Sequence, residues 1–198
     1  ENDVSAKTNA EDEPAPAKIG QDLRPGGGAQ SGEDSRARLD LVPDGTIIRL
    51  APNSTFTLEA LSDDTETPLT RLQLLGGQLW IILSGGELET DTPYGTASVR
   101  GSMMSVNFDP DDGLTVTCLE GHCTLANEAG AVELTEGFAS VISAEGQPPS
   151  PPREISDEER SAWIEISPEA GAYLKGEPAP PPPEILSELI ETIQPSSQ

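Results

Sequence analysis

Apolar residues along this chain come in short bursts, and the densest succession lies between Leu69 and Phe108. Leu72–Leu75, Leu79–Leu83 and Ala97–Val106 are punctuated by Gly76-Gly77, Gly85-Gly86 and Pro93-Tyr94-Gly95. The runs are strand-sized, and the glycine pairs leave no room for a helix of ordinary length. Upstream, Ser35–Leu41 alternates, with Ala37, Leu39 and Leu41 on one face and Arg36, Arg38 and Asp40 on the other. Pro43-Asp44-Gly45 predicts a β-turn, because proline presets φ at one corner and glycine supplies a positive φ at the next. Thr46–Leu50 returns from it. Ala51–Ser54 makes the next corner, and Thr55–Leu61 places Phe56, Leu58 and Ala60 on one face. Ser62–Pro68 reads as an acidic loop. Beyond the central stretch, Leu114–Cys118 and Cys123–Ala126 are expected as a hairpin around Glu120-Gly121. Ala131–Leu134 and Phe138–Ile142 follow it. Turn signals spaced roughly 8–12 residues apart predict an all-β single domain of many short strands, built as a sandwich, a barrel or a β-solenoid.

The ends follow a different pattern. Residues 1–19 are rich in Glu, Asp, Ala and Pro and carry almost no large apolar side chain, so they read as a flexible acidic arm on the β-domain of residues 20–146. Residues 147–175 begin with a proline linker and then change period. Ser156-Asp157-Glu158-Glu159 is a capping box that opens a short helix to about Ile166, with Trp163 and Ile164 on its apolar side and Pro168 as its stop. Trp163 is too large to leave in water and is expected to pack onto the β-domain. Residues 176–198 read as a polyproline spacer followed by an amphipathic helix over Glu184–Ile193. Its stripe of Ile185, Leu186, Leu189, Ile190 and Ile193 is predicted to bind a partner surface, because so short a helix is marginal alone in water.

Charge narrows the classes of partner. Eleven Lys and Arg stand against 35 Asp and Glu, a formal net charge of −24. A field of that sign repels nucleic acid and anionic lipid, and attracts cations or a basic protein. The apolar runs are too short to cross a bilayer. The sequence opens on Glu1 with no initiator Met and no signal peptide, and so reads as a processed mature protein or a trimmed one. With 4% aromatic residues, the core rests on Leu, Val and Ile.

Little in the chain suggests reaction chemistry. Cys118 and Cys123 are the only cysteines and His122 the only histidine, which excludes a zinc-ligand spacing. In the expected hairpin the two sulfurs come within bonding distance, which leaves a disulfide or a reduced core pair. A disulfide argues for export, since such bonds persist outside the cytosol. Arg100 beside Gly101 reads as a structural arginine paired with a carboxylate or carbonyls, in preference to a ligand-binding cation. Trp80 is expected to be structural. Asn107–Gly113 resembles a calcium loop, but its glycine falls one place late, so it reads as a hairpin turn. Asn53-Ser54-Thr55 is a glycosylation sequon in form and a chain corner in context. Met103-Met104 is expected as core filler, and Asp63-Asp64 as a solvated pair. No catalytic residue, metal site or cofactor is expected.

The succession of pieces resembles the FecR-type extracytoplasmic domain, named for the ferric-citrate regulator. The resemblance is carried by Ser31–Leu58, Arg71–Leu83, Glu89–Phe108 and Val116–Ile142. Within the third, SVRGS stands where the family usually reads Val-Arg-Gly-Thr after a Pro. Asp157–Ala170 resembles the helical tail of some exported members. The resemblance implies a non-catalytic β-domain outside the cytoplasm, used in signalling or protein–protein contact. The signalling regulators carry an anti-sigma segment and a membrane helix ahead of this domain, and nothing in the sequence matches either. The first expectation is therefore a detached, exported module that works through its arms as a structural subunit of a surface assembly or filament, with identical copies as one candidate partner. The alternative is an envelope domain that senses a partner protein and transmits a signal.

Overall fold

The computed structural model describes residues 3–41, 45–61, 69–84 and 86–177. It is all-β with two short C-terminal helices. The strands are β1 (Val4–Lys7), β2 (Ala15–Pro16), β3 (Gly28–Ser31), β4 (Ala37–Asp40), β5 (Ile47–Leu50), β6 (Thr55–Ala60) and β7 (Leu69–Ile82). They continue as β8 (Glu87–Thr92), β9 (Gly95–Asp109), β10 (Gly113–Asn127), β11 (Gly130–Thr135), β12 (Phe138–Ile142) and β13 (Arg153–Glu154). The helices are α1 (Asp157–Ile166) and α2 (Pro168–Lys175).

Three long strands, β7, β9 and β10, organise the sheet, because each changes partners halfway. β7 continues unbroken through Gly76-Gly77, where the sequence predicted a break. Its first half lies parallel to β8 and antiparallel to β6, and its second half pairs with β5 and β9. Gly77 makes the bend at φ 88°. A Cβ at Gly77 would stand 2.5 Å from the Cα of Ser54, so no other residue fits without backbone movement.

β9 and β10 stay paired along their length and bend together. On one side of the corner β9 pairs with β8 and β10 with β11; on the other β9 pairs with β7 and β10 with β12. The bends fall at Gly101 (φ 54°) and Gly121 (φ 78°). The register Cys118↔Met104 before the corner is recovered as His122↔Arg100 after it, with the ladder disturbed only around Glu120. Both strands thus place the same number of residues in the bend, and the ladder survives it.

The mutual pairing of β7, β8 and β9 closes the centre into a barrel-like core. The alternating side chains that point inward fill it. Leu72, Leu88, Val99, Leu125 and Leu134 come from strands on one side of the bends, and Ile48, Leu79, Ile81, Val106 and Leu114 from strands on the other. Burying each such side chain contributes roughly 1.5–3 kcal/mol.

Three expectations need correction. The cysteine segment is one strand with a bulge, not a hairpin, because β9 accompanies it throughout. The acidic lead is not a loose arm in the described residues. Val4–Lys7 pairs with Gly28–Ser31, the Gly32 N–H donates to the Asp3 carbonyl at 2.8 Å, and Ala6 is buried. Main-chain bonding holds a segment whose hydropathy alone does not. The proline linker is likewise seated: the Ser150 N–H donates to the Val141 carbonyl, and β13 pairs with β12.

The described residues fall into two compact units, one up to Asp157 and the other from Glu158 onward. In the second, Pro168 ends α1 as expected but also starts α2, which the sequence reading did not foresee. Proline is tolerated at a first helical position, where its missing N–H would have no partner. Ser167 caps α2 by accepting from the Ala170 N–H at 3.2 Å, and Gly176 closes it in the left-handed conformation. Trp163 is buried. The spacer beyond residue 177 and the stripe Ile185, Leu186, Leu189, Ile190 and Ile193 lie outside the described residues.

Candidate functional site

The face of β7, β8, β9, β10 and β11 that points away from the core carries the polar half of each alternation. Register aligns these residues into cross-strand rows. One row runs Glu87, Arg100, His122, Thr135 from β8 to β11. The next runs Arg71, Glu89, Ser98, Thr124, Glu133 from β7 to β11. Directly opposed side chains in such rows are near enough to interact.

Arg100 sits immediately before the Gly101 bend, and its Nη2 donates to Glu87 Oε2 at 3.0 Å, with the guanidinium side chain 76% exposed. Exposure of that order limits the pair to at most about 1 kcal/mol. Arg71 donates from Nε to Glu89 Oε2 at 3.1 Å and stands 3.5 Å from Asp91. The hydrogen bond that it donates to Glu89 holds the Arg71 guanidinium above its ordinary pKa, with the charges of Glu89 and Asp91 adding to the effect. Thr96 donates to the same Asp91 from the neighbouring strand.

Between these pairs and the edge strand β11 lies an open groove of about 360 Å³, lined by Glu87, Ser98, Arg100, His122, Thr124 and Glu133 among others. Its walls are strands, so the side chains are held on a rigid support.

The remaining sequence candidates are dispersed. Cys118 and Cys123 form a disulfide with Cα atoms 5.8 Å apart. Both are buried on the core side of the β10 corner. Glu120, at that corner, has its carboxyl pKa raised, first by burial and then by the charge of Glu136. Trp80 is buried on β7, opposite Arg49 of β5 and Ser105 of β9. Met103 and Met104 are both buried. Asn107–Gly113 holds the β9–β10 turn, in which Asp109 accepts from the Asp111 N–H at 2.8 Å. Asn53 makes its corner with φ 53° and donates its N–H to the Gly32 carbonyl. Among the described residues, no three His, Cys, Asp or Glu side chains stand close enough to share a metal ion. No described helix is long and apolar enough to cross a membrane.

The sequence reading picked out Arg100 but not its row. The signal lay in the alternation of ELETDT and TASVR, whose polar positions meet only once the register of β8 on β9 is known.

Residues 29–124 match the model of the FecR protein family, from β3 to the far side of the β10 corner. That stretch, just under half of the chain, is similar to a FecR domain. The chain's fold is shared with two crystal structures of a candidate anti-sigma factor from Parabacteroides distasonis ATCC 8503. The first has a TM-score of 0.55 at 13% identity and covers 67% of this chain and 62% of that one. The second has a TM-score of 0.56 at 12% identity and covers 73% of this chain and 70% of that one. At such identities the likeness is one of fold. No curated protein matches the sequence.

Proposed function

We propose that this chain is an extracytoplasmic, signal-transducing domain of the FecR type that acts by binding a partner protein, without chemistry of its own. The observation that carries the reading is the family match over residues 29–124, which spans the bent strands and most of the polar face. The anti-sigma description of the structural neighbours adds weight. The Cys118–Cys123 bond suits a compartment outside the reducing cytosol. A role as structural subunit through terminal arms draws less support, since Val4–Lys7 and Ala15–Pro16 belong to the sheet.

The test is transcript profiling of a strain that lacks the chain, with and without restoration of the intact protein. A narrow, restorable set of changed transcripts is expected. An unchanged profile together with a visible defect in a surface assembly would overturn the reading.

A further inference from the structure

The groove between β8 and β11 is assigned no ligand by the family match. Four carboxylates, Glu87, Glu89, Asp91 and Glu133, share its face with two guanidiniums, Arg71 and Arg100. Both guanidiniums are engaged, Arg100 with Glu87 and Arg71 with Glu89 and Asp91. The face is thus left two charges negative, and Glu133 is the carboxylate without an ion pair among the described residues. Opposite it in the row are the Thr124 and Ser98 hydroxyls, whose side chains make no hydrogen bond to another described residue. The groove therefore combines a free carboxylate, free hydroxyl acceptors and a rigid strand floor. It does so on a chain of net charge −24, whose field draws cationic surfaces toward it.

We propose that this groove seats lysine or arginine side chains of a basic segment of the partner protein, with Glu133 as the charge partner and Thr124 and Ser98 as hydrogen-bond acceptors. The proposal rests on the partner-binding reading above and names the surface and the charge of the partner. The cation would sit beside Glu133, away from Arg100.

The probe is a blocked trilysine peptide titrated into the intact ¹⁵N-labelled chain at about 0.15 M salt, where charges more than about 8 Å apart are screened. The amide signals of Ser98, Thr124 and Glu133 should move. Glu133→Lys should weaken binding about tenfold, and Glu133→Gln by a smaller factor, as expected for reversing or removing a contacting charge. Asp112→Lys, an equal change of net charge at the exposed β9–β10 turn, should alter it less than twofold. Equal losses from Glu133→Lys and Asp112→Lys, shifts confined to other strands, or no binding would each overturn the proposal. A silent groove with altered transcripts leaves the signalling reading standing, whereas a competent groove with unchanged transcripts removes that reading and keeps the site.

Discussion

Cys118 and Cys123 are bonded to each other along a single strand, five residues apart, across the corner at which β10 exchanges β12 for β11. The bond ties the two arms of the bent strand together on the core side, directly behind the Arg100 and His122 row. Its loop is short, so the chain-entropy model gives about 2 kcal/mol of stabilisation. The Cys118→Ala, Cys123→Ala double variant should lose roughly that amount in urea denaturation. Reductant should lower the midpoint of the parent and leave the variant unchanged.

The glycine bends should rank by what surrounds them. Gly77→Ala meets the Ser54 backbone and also carries the positive-φ strain, whereas Gly101→Ala has open space and carries strain alone. Strain in the left-handed region costs about 1–2 kcal/mol for an ordinary residue. Thermal unfolding should place Gly101→Ala in that range and Gly77→Ala clearly beyond it. Equal losses would show that the Gly77 bend relaxes freely.

Thr90 lies on the core side of β8, fully buried, and its Oγ1 has no hydrogen-bond partner. An unsatisfied buried hydroxyl costs about 1–3 kcal/mol. Thr90→Val keeps the shape and removes that cost, and should raise the urea midpoint by the equivalent of about 1 kcal/mol. A loss of stability would mean that the hydroxyl is satisfied in solution.

Glu120 gives the corner a pH dependence. Burial and Glu136 raise its folded pKa above the ordinary carboxylate value. The folded chain therefore binds a proton more readily than the unfolded chain in the window between those two values. Its contribution is most favourable at low pH and is lost as pH rises through the raised value. Glu120→Gln should be more stable than the parent at neutral pH, and the difference should shrink as pH falls toward about 4, near the ordinary range. Urea midpoints of both proteins across that range check the sign. A gap that widens on acidification would contradict it.

Strand content was legible where alternation is clean. Phe56 and Leu58, read as one face of a strand, are buried together on β6. Bends were not legible, because Gly76-Gly77 and Glu120-Gly121 carry the same signal whether the chain reverses or turns a corner within a strand. Only the long-range partner, β9 in both cases, decides between them. The N-terminal strand escaped notice because it is held by backbone bonds and the small side chain of Ala6, while hydropathy registers large ones. The groove was legible only in part. His122 is conspicuous as the lone histidine and Arg100 by its place before Gly101, but the row they form with Glu87 is a consequence of register.

Covalent capture of partners by the full chain in its native cell tests the central claim most directly. A photo-crosslinking residue in place of Thr135, exposed at the groove's edge, should yield one specific adduct with a different protein, lost when Glu133 is changed to Lys. Adducts between copies of this chain alone, or none at all, would contradict a signalling domain that works by recognising a separate partner.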